Sequence, residues 1–115
     1  MANPLKFHRK NTCTIILDMC DYNWDNGDTI YFTVKTKADS DQTDSDALIT
    51  ANWVYGTDVT ANEDGSLELI LTPAETNIDY GTYFYDLKLV EASTGTEETL
   101  TTGDIEILDV ATLRV

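Results

Sequence analysis

Thr29-Ile30-Tyr31-Phe32-Thr33-Val34-Lys35 alternates without a break. Ile30, Phe32 and Val34 point one way; Thr29, Tyr31, Thr33 and Lys35 point the other. Successive side chains of a strand leave opposite faces of a sheet, so this stretch reads as a strand with one buried and one wet face. It opens after an Asn26-Gly27 turn signal.

The same period recurs on both sides. Upstream, Cys13, Ile15, Leu17 and Met19 share a face. Downstream, residues 48–55 place Ile49, Ala51, Trp53 and Tyr55 together, residues 66–71 place Leu67, Leu69 and Leu71 inward, and residues 82–91 align Tyr83, Tyr85, Leu87 and Leu89. Ser93-Thr94-Gly95 is a hairpin turn, and residues 97–108 return, with Gly103-Asp104 expected as a bulge or kink. Thr72-Pro73-Ala74-Glu75 carries an N-cap, a first-turn proline and a reciprocal capping glutamate, which predicts a short helical turn over 73–77. About seven short strands with regular turns and no crossover helix argue for an antiparallel β-sandwich. The expected organisation is an exposed N-terminal arm over 1–10, the sandwich over 11–108 and a tail over 109–115. Its stability is expected to rest on Phe32, Trp53, Leu69, Tyr83, Tyr85 and Leu87.

The chain has 115 residues, 42% of them hydrophobic, enough for one domain with a real core. Seven basic residues against 21 acidic ones give a net charge of -14. That balance disfavours nucleic acid and anionic lipid, whose binding needs Lys and Arg to displace counterions. The start lacks the apolar core of a signal peptide, and no stretch nears the roughly 20 apolar residues of a membrane span. Synthesis in the bacterial cytoplasm is the expectation. Cys13 and Cys20 would lie about 23 Å apart on an extended chain, so they read as free thiols.

A further stretch, Asp79-Tyr80-Gly81-Thr82-Tyr83-Phe84-Tyr85, resembles the strand-F corner of immunoglobulin-like domains, D-x-G-x-Y-x-C. The resemblance makes Tyr83 the corner tyrosine, its hydroxyl bonded to upstream backbone. It puts Tyr85 at the second cysteine position, Trp53 at the core tryptophan position, and Ile30, Phe32 and Val34 on the strand that would carry the first cysteine. Gly27-Asp28-Thr29-Ile30-Tyr31-Phe32-Thr33-Val34-Lys35, Leu71-Thr72-Pro73-Ala74-Glu75-Thr76 and the run from Tyr80 to Leu89 together resemble small immunoglobulin-like structural proteins of tailed bacteriophages and prophages, including N-terminal domains of baseplate upper proteins. The similarity spans residues 11–108. It implies a virion- or tail-associated structural role and transfers no catalytic residue.

Asp39, Asp41, Asp44 and Asp46 are calcium candidates, but the glycine and terminal glutamate of an EF-hand loop are missing, so a solvated acidic loop is the reading. Asp18, Asp21, Asp25 and Asp28 are read the same way. His8, the single histidine, sits among Lys6, Arg9 and Lys10 with no nucleophile nearby in sequence. Gly-rich phosphate loops and G-x-S-x-G elbows are absent, and no cofactor is implied. Loop aromatics Tyr22, Trp24, Tyr55 and Tyr80 suit either loop anchoring or sugar stacking.

The outer faces are more informative. Tyr31 and Ile70 are expected on one sheet, and Leu48, Val54, Phe84 and Val90 on the other. The expected function is a non-enzymatic structural or assembly component of a phage or prophage particle. Its partners would be other structural subunits or copies of itself, contacted through Phe7, His8, Arg9 and Lys10 of the arm and through Tyr31 and Phe84. The alternative is a small carbohydrate- or surface-binding module using loop aromatics, with or without calcium.

Overall fold

The computed structural model describes residues 5–18, 22–36, 47–63 and 65–109. These residues form seven strands and no helix: β1 (Leu5–His8), β2 (Cys13–Asp18), β3 (Thr29–Lys35), β4 (Ile49–Val54), β5 (Ser66–Leu71), β6 (Gly81–Val90) and β7 (Glu97–Leu108). One sheet has five strands in the order β1-β7-β6-β3-β4; the other has two, β2-β5.

β3 is an inner strand of the larger sheet, between β6 and the edge strand β4. Ile30 faces Trp53 and Leu89, Phe32 faces Ala51 and Leu87, and Val34 faces Ile49 and Tyr85. A one-residue slip would turn every one of these side chains outward, so burial fixes the register. In the smaller sheet Cys13 pairs with Leu71, Ile15 with Leu69 and Leu17 with Leu67. The inward sets of both sheets join in one apolar cluster. Trp53 ties its edge, because its Nε1 donates to the Ile70 carbonyl of β5 at 3.3 Å.

Four expectations are corrected here. First, residues 5–8 are not an exposed arm. They form β1, paired in parallel with β7 from Leu5–Ile105 to His8–Leu108, and Phe7 is a core residue. A four-residue strand is too short to announce itself by periodicity, and its partner lies a whole chain away. Second, Thr72 and Glu75 make their reciprocal caps, with Thr72 N donating to Glu75 Oε1 at 2.9 Å and Glu75 N to Thr72 Oγ1 at 3.3 Å. No helix follows: the bonds at Glu75 and Thr76 close turns, and Ile78 N already bonds back to Thr76 O.

Third, β3 is not the strand facing β6 across the core. It is the hydrogen-bonded neighbour of β6, with Val34 beside Tyr85. The other sheet holds β2 and β5. Fourth, the bulge falls between Leu87 and Lys88, where β7 steps from Thr101 to Thr99 and Leu100 is the extra residue. Gly103 stays in the regular ladder opposite Tyr85.

Candidate functional site

A polar constellation surrounds Asp28, fully buried just before β3. Its Oδ2 accepts from the Tyr22 hydroxyl at 2.8 Å and the Asp25 amide at 2.9 Å; its Oδ1 accepts from the Ala92 amide at 2.9 Å. The carboxylate thereby clasps the β2–β3 loop to the β6–β7 hairpin. Burial pushes its pKa up, but the bonds from Ala92, Asp25 and Tyr22 outweigh burial and hold it below the ordinary aspartate value. Burial, the bond to Asp28, and the charges of Asp28 and Glu91 drive the Tyr22 phenol strongly upward.

The loop aromatics pack over this clasp. Tyr22 meets Trp24 edge-on at 4.7 Å, and Trp24 stacks on Tyr55 at 5.6 Å. These rings spend their faces on one another, an anchoring geometry. Trp24 Nε1 is buried with no hydrogen-bond partner among the described residues. Tyr80 stands apart and is 65% exposed. Asp28 therefore departs from the reading of a solvated acidic loop. Its sequence signal, an aspartate in a tight Asn-Gly-Asp turn directly before a strand, was open to that interpretation.

The basic residues near the N-terminus are engaged within the chain. Arg9 Nε donates to the Ile78 carbonyl at 3.0 Å, and its guanidinium lies 3.4 Å from Asp109. Lys6 lies 3.6 Å from Glu106. Lys10 adopts a left-handed φ of 61° and its amide bonds to Thr76 O. His8 is exposed at the end of β1.

Tyr31, 41% exposed, and the half-buried Phe84 both lie on the outer face of the five-stranded sheet, as the register with Lys88 and Lys35 requires. Val54 and Val90 flank Thr29 on that face. Ile70 does not share it. It belongs to the outer face of the two-stranded sheet with Ile16, and the two are 51% and 58% exposed. The grouping of Tyr31 with Ile70 is thus corrected: alternation assigns a side, not a sheet. Ile16 went unnoticed, although its place between inward Ile15 and Leu17 marks it as outward.

Asp39, Asp41, Asp44 and Asp46 lie outside the described residues. Within the described residues no group of three or more His, Cys, Asp or Glu is placed to hold a metal. Cys13 is a buried free thiol, and Cys20 lies outside the described residues. No helix there is long and apolar enough to cross a membrane.

No family model and no curated protein matches the sequence. Among solved structures, the chain is similar to a Bacteroides vulgatus protein provisionally named a glycoside hydrolase. The TM-score is 0.49 at 6% identity, over 93% of this chain but only 17% of that one. It is also similar to the NK cell receptor Nkp44, with a TM-score of 0.47 at 12% identity, over 96% of this chain and 99% of that one.

Proposed function

We propose that this chain is a non-enzymatic packing module with an immunoglobulin-like sandwich architecture, serving as a structural component of a phage or prophage particle. It works by contact with other structural subunits, copies of itself included. The observation that carries the reading is the placement of Ile16, Ile70 and Tyr31, large apolar side chains left exposed on the outer faces of both sheets. Exposed apolar groups on flat sheet faces suit protein contact.

Several features support the architecture. β2 and β5 form one sheet, and β3, β6 and β7 lie together in the other. The Tyr83 hydroxyl donates to the Asp79 carbonyl at 2.6 Å, the bond of a tyrosine corner. In this frame Phe32 of β3, rather than Trp53, takes the core tryptophan position, and β2 takes the place of the strand bearing the first cysteine. The phage assignment rests on the sequence resemblance over residues 11–108.

The test is light scattering after size exclusion, over a range of protein and salt concentrations, with a glycan panel in parallel. A discrete oligomer lost in the Tyr31→Glu or Ile70→Glu variant is expected. A monomer under every condition that binds glycans through Tyr80, with or without calcium, would replace this reading with the carbohydrate-binding one.

A further inference from the structure

The sheet edges are treated unequally. β1 is four residues long and carries Lys6 and His8 outward; short charged strands resist pairing. At the end of β4, Val54 N donates to Asp58 Oδ2 at 2.9 Å and Asp58 N to Val54 O at 2.8 Å. On β5, the Ile70 carbonyl accepts from Trp53 Nε1, and the Ser66 carbonyl accepts from Asn62 N at 2.8 Å. Among the described residues β2 has no such guard. Its sequence, Cys-Thr-Ile-Ile-Leu-Asp, contains no Lys, Pro or Gly.

The two bonds on β5 also fix the phase of the β2–β5 ladder. They show that the backbone groups of Ser66 and Ile70 point away from β2. In an antiparallel pair, residues directly opposite share this orientation, and it alternates along the strand. Asp18 and Thr14 lie opposite Ser66 and Ile70, and Ile16 lies between them opposite Glu68. The backbone groups of Thr14, Ile16 and Asp18 therefore point out along the free edge. No hydrogen bond among the described residues reaches them. Ile16 stands exposed on the face beside this edge, rimmed by Asp18 and Glu68.

We propose that the free edge of β2 accepts an extended segment of a partner protein as a third strand, and that this segment carries Lys or Arg beside its apolar residues. The unpaired ladder selects an extended backbone. Ile16 selects an apolar side chain on the outer face, and the acidic rim selects basic ones. A second copy of β2 fits this edge poorly, since it brings the same Asp18 and Glu68 rim, and Lys6, Arg9 and Lys88 are already paired with acids of their own chain. The inference rests on the packing-module reading and names the chemistry of one contact.

The experiment titrates the full isotope-labelled chain with a seven-residue capped peptide of alternating Lys and Val, followed by NMR. Saturable shifts are expected, largest at the Thr14, Ile16 and Asp18 amides. Methylating alternate peptide nitrogens, which removes ladder donors but keeps charge, should weaken binding about tenfold or more, a loss of about 1.4 kcal/mol. Ile16→Arg, a change at an exposed site, should weaken it comparably, and a Glu-Val peptide should not bind. Shifts spread over the acidic surface, or equal binding by the methylated peptide, would overturn the proposal and leave only charge attraction. So would binding of the Glu-Val peptide, or concentration-dependent pairing of the chain through β2 without peptide. A monomer under every condition in light scattering, with glycan binding, concerns the module reading instead, so the two can fail separately.

Discussion

The two sheets bury their inner faces alike and finish their edges differently. The five-stranded sheet ends in a short charged strand on one side and, on the other, in a strand whose last residue, Val54, is held by Asp58. Its outer face mixes threonines and the Lys88–Glu97 pair at 3.4 Å with the exposed Tyr31 and the half-buried Phe84. The two-stranded sheet leaves Ile16 and Ile70 in solvent and the backbone of β2 unpaired among the described residues. Inner faces answer to packing, which is common to both sheets; outer faces and edges answer to what the molecule must meet or avoid. Both outer faces offer apolar contact, and the smaller sheet adds the unpaired edge of β2 among the described residues.

Trp53 joins the two regions, so its loss should have the largest effect. Trp53→Ala removes a buried indole and the donor to Ile70 O, and should cost about 3–5 kcal/mol in denaturant unfolding. A loss below about 1 kcal/mol would mean that the sheets hold together without it.

Asp28→Asn comes next, at about 2–3 kcal/mol, because the amide presents a donor where backbone N–H groups need acceptors. This site also gives the larger sheet's loops a pH dependence. The folded pKa of Asp28 is held below its unfolded value, near about 3.9. The stabilisation is therefore complete above the unfolded value and is lost as pH falls through the folded one. Thermal melts from neutral pH into acid should fall more steeply for the native chain than for Asp28→Asn. Parallel curves would show that the clasp contributes no linkage.

Tyr83→Phe deletes the hydroxyl bond to Asp79 O and should cost about 1 kcal/mol, with the fold retained. The smallest effect belongs to the outer face of the smaller sheet. Ile16→Arg should change stability by no more than about 0.5 kcal/mol, since the side chain is already exposed. A loss of 2 kcal/mol or more, on the order of a core truncation, would mean that Ile16 is packed and that the comparison between the sheets fails.

Much of this was legible in the sequence, with a clear boundary. Period-two alternation located β2 to β6, the Ser93-Thr94-Gly95 turn located β7, and alternation identified Phe32, Leu69, Tyr85 and Leu87 as inward. It could not say which sheet a strand joins, because inward residues of both sheets obey the same rule; hence β3 was set opposite β6 instead of beside it. Parallel pairing of β1 with β7 depends on a contact between the two ends of the chain, and four residues carry too little pattern to reveal it. Asp28 was hidden by chemistry: an aspartate in a turn looks the same whether water or three donors surround it. Ile16 was visible in the alternation, but its meaning depended on the unpaired edge beside it.

Amide hydrogen exchange of the isolated monomer tests the unguarded edge most directly. The Cys13, Ile15 and Leu17 amides, paired with β5, should exchange slowly, while those of Thr14, Ile16 and Asp18 should exchange at rates near those of an open chain. Protection of all six to the same degree would show that the edge of β2 is already paired, and would contradict the account.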